Sequence, residues 1–316
     1  CGNRQPHGEL MPLVPVPGSR TRTKPTPGRI AGGDLPPSGT PLQRVFLRIV
    51  RSLTDAFLRV RWASCRSFFR TNRDDLDAPR FTVNDTGALS SGERILSAVV
   101  CGQCLSDFVP VESPLCTACG IPFESREGDD HLCGECLRGP RHFHRARAAA
   151  VYTPVMMALV RAFKYNGKIQ LAQPLGVLLA LTYRRFWPEA DIDLVLPVPL
   201  HPRRFRHRGF NQAYLLVRDW AGPDSPLAGL LPAVVIAKEV ISRIRPTASQ
   251  TGLGRQDRLQ NIKKAFRVDK KSVIAERGIL LVDDVYTTGA TADECAKTLL
   301  KSGAARVDLL TLTRAV

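Results

Sequence analysis

Two carboxylates and a run of small hydroxyl residues stand together in residues 279–291, which read ILLVDDVYTTGAT. Four apolar residues lead into Asp283 and Asp284, and three threonines follow around Gly289. Carboxylates accept hydrogen bonds from sugar hydroxyls or hold Mg²⁺, whereas hydroxyls and free backbone N–H groups donate to phosphate. These residue types at this spacing therefore predict a site for a sugar that carries a phosphate.

The elements around this segment place it where ligands usually bind. The apolar run predicts a buried strand at 278–284, and the following spacing predicts a helix at 291–304. In open α/β sheets, ligands bind beyond the carboxyl ends of strands, and a helix N-terminus attracts anions. A strand end with two solvated carboxylates and an N-capping threonine would explain each residue, but not their dense succession. The segment lacks the lysine of a Walker loop.

Apolar strand patterns alternate with helical patterns from Ala146 to the end of the chain. The predicted strands are 148–154, 193–200, 233–236, 278–284 and 306–314, and the predicted helices are 155–162, 171–187, 209–221 and 291–304. This alternation is typical of an α/β domain built around a mostly parallel sheet. We therefore expect such a domain over residues 146–316.

Two basic segments have chemistry that matches a phosphorylated ligand. Residues 197–213 follow a predicted strand and contain an arginine cluster that suits a pyrophosphate. Its candidate residues are Arg203, Arg204 and Arg208. Residues 243–266 are polar and basic, which is typical of a mobile lid over a reaction centre. The candidate lid residues are Thr247, Gln250, Thr251, Arg255 and Arg258. On composition alone, a solvated basic face explains both segments equally well.

Three Cys-x-x-Cys pairs between residues 101 and 136 predict a zinc-ribbon module over 97–140. A structural zinc needs four thiolates, and the last two pairs provide them in one arrangement: Cys116, Cys119, Cys133 and Cys136. In the competing arrangement, Cys101 and Cys104 join the middle pair instead. A second zinc would need further ligands, for which His131, His142 and His144 are candidates. A closed four-cysteine site stabilises the module and performs no chemistry.

The whole chain is strongly basic, with 45 lysines and arginines against 29 acidic residues and a net charge of +16. That charge favours polyanionic partners such as nucleic acid or phosphorylated metabolites. No secretory signal and no membrane-spanning run are visible, and the cysteine pattern favours a reducing cytoplasm. Residues 1–95 are predicted to be a disordered extension, with a linker at 71–93. Within it, residues 42–70 have the pattern of a basic amphipathic helix that meets a membrane, meets a partner, packs on the main domain or has no role.

The segment at 279–291 resembles the phosphoribosyl diphosphate (PRPP) signature of type I phosphoribosyltransferases. That resemblance implies that Asp283 and Asp284 hold the ribose hydroxyls, and that the residues after them hold the 5-phosphate. The implied PRPP-binding residues after the two aspartates are Val285, Thr287, Thr288, Gly289, Ala290 and Thr291. Tyr286 is large for its position in that signature, although it keeps the apolar character.

Further motifs resemble the ComF family, the double-zinc-ribbon, phosphoribosyltransferase-like proteins of DNA uptake. They are FKYNGK at 163–168, RGFNQA at 208–213 and T-x-S-Q-T-G-L-x-R-x-x-R-x-x-N at 247–261, together with the Cys-x-x-Cys pairs. The resemblance runs from Cys101 to Val316. It implies a type I phosphoribosyltransferase-like sheet with helices on both faces, a structural zinc, a pocket for Mg-PRPP and a cytoplasmic protein. It also implies a role with single-stranded DNA and the DNA-uptake machinery in natural transformation.

Two functions remain open on the sequence. As a phosphoribosyltransferase, the protein would let an acceptor displace pyrophosphate from PRPP, with Asp283 and Asp284 stabilising the positive charge that develops on the ribose. As a non-catalytic module, it would bind single-stranded DNA through basic loops and stacking aromatics, and its pocket would sense a nucleotide. The candidate aromatics are Phe143, Tyr165, Phe205 and Phe210.

Overall fold

Five parallel strands form the central sheet in the computed structural model, which describes residues 88–97, 99–188, 192–221, 227, 231, 234–247 and 255–316. In chain order, the strands of the sheet are β1 (Ala146–Val151), β2 (Leu194–Pro197), β3 (Val235–Ile236), β6 (Gly278–Tyr286) and β7 (Arg306–Arg314). Their order across the sheet is β1-β7-β6-β2-β3, and each adjacent pair is parallel. Between them, β4 (Ile241–Arg243) and β5 (Phe266–Val268) form a separate antiparallel pair. The expected α/β class with a mostly parallel sheet is confirmed.

Ten helices accompany these strands in the described residues. They are α1 (Ala88–Ser97), α2 (Gly102–Leu105), α3 (Gly134–Arg138), α4 (Pro154–Tyr165), α5 (Ala172–Phe186), α6 (Pro202–Arg208), α7 (Gln212–Val217), α8 (Arg255–Ile262), α9 (Lys271–Ile274) and α10 (Ala290–Lys301). A 3₁₀ turn at Ile169–Leu171 leads into α5. Within the described ranges, no helix combines the length and the apolar character that crossing a membrane requires.

The central strand β6 is covered on both faces. Leu280 and Val282 pack into a core with α1, α4, α5 and α7. Ile279 and Leu281 pack into a second core with α10, with β4 and β5, and with residues 101–140, hereafter the cysteine ribbon. Successive strand residues point to opposite faces, so coverage of both faces requires a continuous apolar run. The ILLV run is therefore continuous because β6 is buried between two layers, one on each face of the sheet.

Residues 88–95, predicted as part of the extension and its linker, are instead helical. Ile95 and Leu96 at the end of α1 are at most 3% exposed and belong to the first core. The serines and glycine of ALSSGERILS weaken the helical pattern in the sequence, and burial against neighbouring helices outweighs that weak local propensity. The rest of the predicted extension, including 42–70, lies outside the described residues.

The first basic segment was expected to be a loop, and its arginines instead lie on the helix α6. Pro202 occupies the first helical turn, and the ring of His201 accepts a hydrogen bond from the backbone N–H of Arg203 at 3.2 Å. Gly209 ends the helix in the left-handed conformation with φ of +83°. A proline at the start and a glycine at the end are the usual signals of such a helix. The second basic segment likewise contains the helix α8.

Candidate functional site

The backbone between β6 and α10 forms a tight turn into a helix N-terminus. Gly289 has φ of +75°, and α10 begins at the next residue. A Cβ atom on Gly289 would lie only 2.5 Å from the hydroxyl oxygen of Tyr286, so both the conformation and the space require glycine. The hydroxyl of Thr288 accepts a hydrogen bond from the backbone N–H of Ala290 at 3.4 Å. We call residues 287–291 the phosphate loop, after the 5-phosphate that the sequence predicts here, since a helix N-terminus suits an anion.

The phosphate loop borders a cleft of about 380 Å³ at the carboxyl ends of β2 and β6. Side chains from α4, α6, α7, β4 and β7 also line this cleft. The polar side chains of its lining include Lys164, Arg204, Arg208, Gln212, Arg243, Asp283, Asp284, Thr287 and Thr291. This is the sheet edge at which ligands bind in open α/β folds. Its size is within the usual range for small-molecule sites.

The two carboxylates meet different neighbours, because consecutive strand residues face opposite sides. Asp284 is 3% exposed and forms an ion pair with Lys164 of α4, with 2.7 Å between Nζ and Oδ2. Burial acts to lower the pKa of Lys164, but Asp284 outweighs it and holds that pKa above its usual value. The Oδ1 atom of Asp283 accepts a hydrogen bond from the backbone N–H of Asp284 at 2.9 Å. Burial and the Asp284 charge raise the pKa of Asp283 to about 7.

Four arginines line the cleft, of which Arg161 of α4 is exposed and the other three make contacts that hold them in place. Arg204 donates from Nη2 to the backbone oxygen of Thr247 at 3.1 Å, and Arg243 donates to the hydroxyl of the same threonine. Burial and the nearby Arg204 charge lower the pKa of Arg243 to about 10. The guanidinium of Arg208 lies over the ring of Tyr165, with 5.2 Å between its carbon and the ring centroid. Fixed guanidinium groups of this kind suit phosphate oxygens.

Most of the predicted site residues lie on the cleft. Both aspartates, Arg204 and Arg208 line it, as do the loop residues Val285, Thr287, Gly289, Ala290 and Thr291. Thr288 accepts a hydrogen bond from Ala290 instead, Arg203 is exposed on α6, and Thr247 accepts hydrogen bonds from two arginines. Gln250 and Thr251 lie outside the described residues, and only the backbone of Arg255 and Arg258 is described. The lid therefore stays a prediction.

Of the cleft residues that were not singled out from the sequence, three contribute charge or hydrogen bonds to the site. They are Lys164, Gln212 and Arg243, each inside a segment that was quoted for another reason. Lys164 carried the clearest signal, since it is the only charged residue in the apolar stretch AFKY at the end of α4. Gln212 accepts a hydrogen bond from Arg208, which links the two helices that follow β2.

The cysteine ribbon gathers four sulfur atoms into one cluster. The Sγ atoms of Cys116, Cys119, Cys133 and Cys136 all lie within 4.8 Å of one another. Cys119 and Cys133 are 3.7 Å apart, and zinc–sulfur bonds of about 2.3 Å in a tetrahedron require about 3.8 Å. The sulfur of Cys116 also accepts hydrogen bonds from the N–H groups of Cys119 and Cys133, at 3.4 and 3.3 Å. This donor set fits a structural zinc, which decides between the two arrangements left open by the sequence.

The cysteines of the cluster differ in acidity, since burial raises the pKa of the Cys119 and Cys136 thiols whereas the pKa of Cys116 is lowered. Burial acts against its ionisation, but the backbone N–H groups outweigh burial and lower the pKa of Cys116 to about 6. Metals bind the thiolate form of cysteine. Cys101 and Cys104 lie on and beside α2, outside this cluster, and the described part of the chain contains one group of this kind.

We expect Cys133→Ser to remove the zinc, because it leaves three thiolates, and we expect Cys104→Ser to keep it. Elemental analysis of the purified proteins by mass spectrometry measures this directly, with one zinc per chain for the wild type. Equal zinc loss in both variants would contradict the assignment of the four ligands.

We expect Asp283→Asn to make the folded chain more stable above neutral pH. The folded chain holds the Asp283 proton more tightly than the unfolded chain, so the wild type loses stability as pH rises from about 4 to about 7. The variant avoids that loss and gains about 2 kcal/mol after allowance for partial exposure. Chemical denaturation at several pH values measures the difference.

The neighbouring Asp284→Asn is the matched comparison for this prediction. It leaves Lys164 buried without its carboxylate, so we expect it to lower the free energy of unfolding at pH 8. The two substitutions are expected to change the free energy of unfolding in opposite directions. Stabilisation by both, or by neither, would contradict this prediction.

Comparisons with known proteins match the cysteine ribbon and also a larger part of the chain. The model of the double zinc ribbon domain matches residues 93–137, which enclose the four-sulfur cluster. Among solved structures, the chain is similar to a hypoxanthine-guanine phosphoribosyltransferase from Bacillus anthracis. That similarity has 17% identity and a TM-score of 0.27, and it covers 46% of this chain and 68% of the other.

Curated relatives match over most of their own length. The DNA utilization protein YhgH of Escherichia coli strain K12 is 35% identical over 219 residues, which is 68% of this chain and 90% of the relative. Competence protein F of Haemophilus influenzae is 29% identical, and competence protein ComFC of Bacillus subtilis is 28% identical. These two matches cover 68% of this chain and 96% and 84% of the relatives. At this identity and coverage, the chain belongs to the ComF family of competence and DNA utilization proteins.

Proposed function

We propose that this protein binds Mg-PRPP or a related ribose 5-phosphate ligand in the cleft, and that it acts with single-stranded DNA during DNA uptake. One observation carries the first part. The cleft combines a helix N-terminus, a pair of carboxylates and four arginines within about 380 Å³. A sugar with phosphate groups at its two ends is the ligand that meets all three.

Each part of the ligand has a counterpart in the lining. The 5-phosphate accepts hydrogen bonds from the phosphate loop, where Gly289 allows close approach of the backbone. The ribose hydroxyls donate to the carboxylates that end β6. The pyrophosphate lies against Arg204, Arg208 and Arg243, which line the same cleft.

Lys164 adjusts the charge of the carboxylate pair. Its ammonium group holds Asp284 at 2.7 Å, so the pair carries less net negative charge towards a polyanionic ligand. Asp283 keeps oxygen atoms of the kind that Mg²⁺ prefers. When bound, Mg²⁺ supplies neutralising charge to the pyrophosphate.

As an enzyme, the protein would be a phosphoribosyltransferase. An acceptor forms a bond to the anomeric carbon of the ribose, and the bond to pyrophosphate breaks with its electron pair. Asp283 and Asp284 stabilise the positive charge that develops on the ribose, and the arginines stabilise the departing pyrophosphate. Charges that are held in place before the reaction need no reorganisation during it.

The DNA role rests on the relatives and on one exposed surface. The relatives are named for competence and DNA utilization. Beside the cleft, Phe205 is 47% exposed and Tyr165 is 67% exposed, and Arg203 and Arg206 are exposed on α6. Exposed aromatic rings among arginines suit a single strand, since bases stack on the rings while the arginines hold the backbone. Of the other candidate aromatics, Phe143 is buried and Phe210 packs against the buried Phe163.

Calorimetric titration of the full chain with PRPP and Mg²⁺ tests the cleft. We expect saturable binding by the wild type and a loss of at least tenfold in affinity in Asp283→Asn/Asp284→Asn, because hydrogen bonds to charged groups contribute about 1.5–3 kcal/mol each. The matched control is Glu93→Gln/Asp107→Asn, which removes the same charge at exposed positions. Absence of binding by a folded, zinc-loaded wild type would refute the sugar-phosphate site.

Fluorescence anisotropy with a labelled oligothymidylate tests the DNA surface. We expect Tyr165→Ala/Phe205→Ala to weaken binding at least tenfold, since one stacked base contributes about 1–3 kcal/mol. Tyr214→Ala is the control, because it breaks the contact of Lys238 with an aromatic ring outside the cleft. The double aspartate variant should bind DNA at least as well as the wild type. Equal weakening by the control would argue against this surface.

A further inference from the structure

Arg314, the last residue of β7, reaches into the cysteine ribbon. It is 4% exposed, and its Nη1 donates to the backbone oxygen of Cys119 at 2.6 Å. Its Nη2 donates to the sulfur of the same cysteine at 3.3 Å. Cys119 belongs to the four-sulfur cluster, so this guanidinium lies directly beside the metal-ligand set. Hydrogen bonds to ligand atoms orient the ligands of metal sites.

The same guanidinium lies on the ring of Tyr286. Its carbon is 4.1 Å from the ring centroid, and the two residues are partners across β6 and β7. The ring is 3% exposed, and the edge contact with Phe143, at 6.2 Å between centroids, holds it from another side. A cation on an aromatic face is held more strongly when both groups are buried away from water.

The ring of Tyr286 in turn lies behind the phosphate loop. A Cβ atom on Gly289 would meet its hydroxyl oxygen at 2.5 Å and its ring carbons at 2.7 and 3.0 Å. The loop therefore rests against this ring, and movement of the ring changes the space in which the loop turns. The large residue at this position of the phosphoribosyl signature is thus the one that reaches towards the cysteine ribbon.

We propose that Arg314 is a positioning residue that couples the four-cysteine centre to the phosphate loop through Tyr286. With the ribbon intact, Cys119 fixes the guanidinium, the guanidinium fixes the ring, and the ring holds the loop in its turn. A zinc-bound sulfur is a thiolate, which accepts a hydrogen bond from a guanidinium more strongly than a thiol does. The inference for ligand binding rests on the proposed function, whereas the coupling to the loop does not.

A second buried arginine offers a matched control. Arg147 of β1 is 8% exposed and donates from Nη1 to the backbone oxygen of Thr117 at 3.1 Å, so it also ties the cysteine ribbon to the sheet. Its guanidinium lies over Phe186, and that contact does not lead to the phosphate loop. Replacement of either arginine by lysine keeps the charge and removes the planar fork.

Hydrogen exchange of the full chain, followed by mass spectrometry, tests the coupling without any ligand. In zinc-loaded Arg314→Lys, we expect the amides of residues 287–292 to exchange about tenfold faster than in the wild type, which corresponds to about 1.4 kcal/mol of lost local stability. Arg147→Lys should leave these amides unchanged. Unchanged exchange in Arg314→Lys, or an equal increase in both variants, would overturn the proposal.

A second measurement covers the case in which Arg314→Lys does not fold. Removal of zinc from the wild type with a chelator should speed exchange at 287–292, while residues 279–282 inside β6 stay protected. The loop must respond to the metal for the proposal to hold, and exchange at 287–292 that is indifferent to zinc would overturn it.

The effect of PRPP on zinc binding distinguishes a failure of this proposal from a failure of the proposed function. If PRPP with Mg²⁺ binds, it should raise the equilibrium affinity for zinc, measured by competition with a coloured chelator, several-fold in the wild type and not in Arg314→Lys, because coupling between two binding equilibria is reciprocal. An equal effect in both proteins would overturn the role of Arg314. If calorimetry shows no PRPP binding, the proposed function fails, and hydrogen exchange still decides the coupling.

Discussion

Burial of β6 on both faces is the constraint on which the candidate site depends. The two faces of β6 pack into two separate cores. Along its two edges, its backbone is hydrogen-bonded to β7 and to β2. The position of β6 therefore fixes where its last residues lie. Two carboxylates, a tyrosine and the start of α10 lie at the carboxyl edge of the sheet. Alternation along the strand then separates the two acids, since Asp284 shares its side with Leu280 and Val282 and meets α4. Asp283 shares the other side with Ile279 and Leu281.

Charge balance in the cleft follows from that separation. Two adjacent carboxylates in a partly buried place repel each other, and the pKa of Asp283 rises to about 7 as a result of burial and this repulsion. Lys164 compensates one of them directly, with 2.7 Å between the charged atoms. A phosphorylated ligand would add negative charge, which the four arginines of the lining would balance. The cleft thus joins groups that would be costly to bury alone and favourable to bury around such a ligand.

The cysteine ribbon is more than an appendage in this fold. The backbone N–H of Ala146 donates to the oxygen of Ala118 at 2.7 Å, and a Cβ atom on Gly120 would lie 2.3 Å from the oxygen of Ala146. The ribbon therefore packs directly on the first strand of the sheet. Arg314 extends this contact to Tyr286 and to the phosphate loop. A module that performs no chemistry can in this way influence a site that it does not line.

The sequence by itself determined the strand, the two acids at its end and the turn into a helix, because a continuous apolar run and a Thr-Thr-Gly turn are local signals. It also determined the α/β class, from the alternation of strand and helix patterns. Only the tertiary structure decided which cysteines gather, since both arrangements consist of two Cys-x-x-Cys pairs with a similar separation, 11 residues in one and 13 in the other. Lys164 and Arg243 likewise reach the cleft through contacts between elements far apart in sequence, and burial of Leu96 turned a predicted linker into α1. Local patterns fix single elements, whereas packing across the sheet decides which side chains meet.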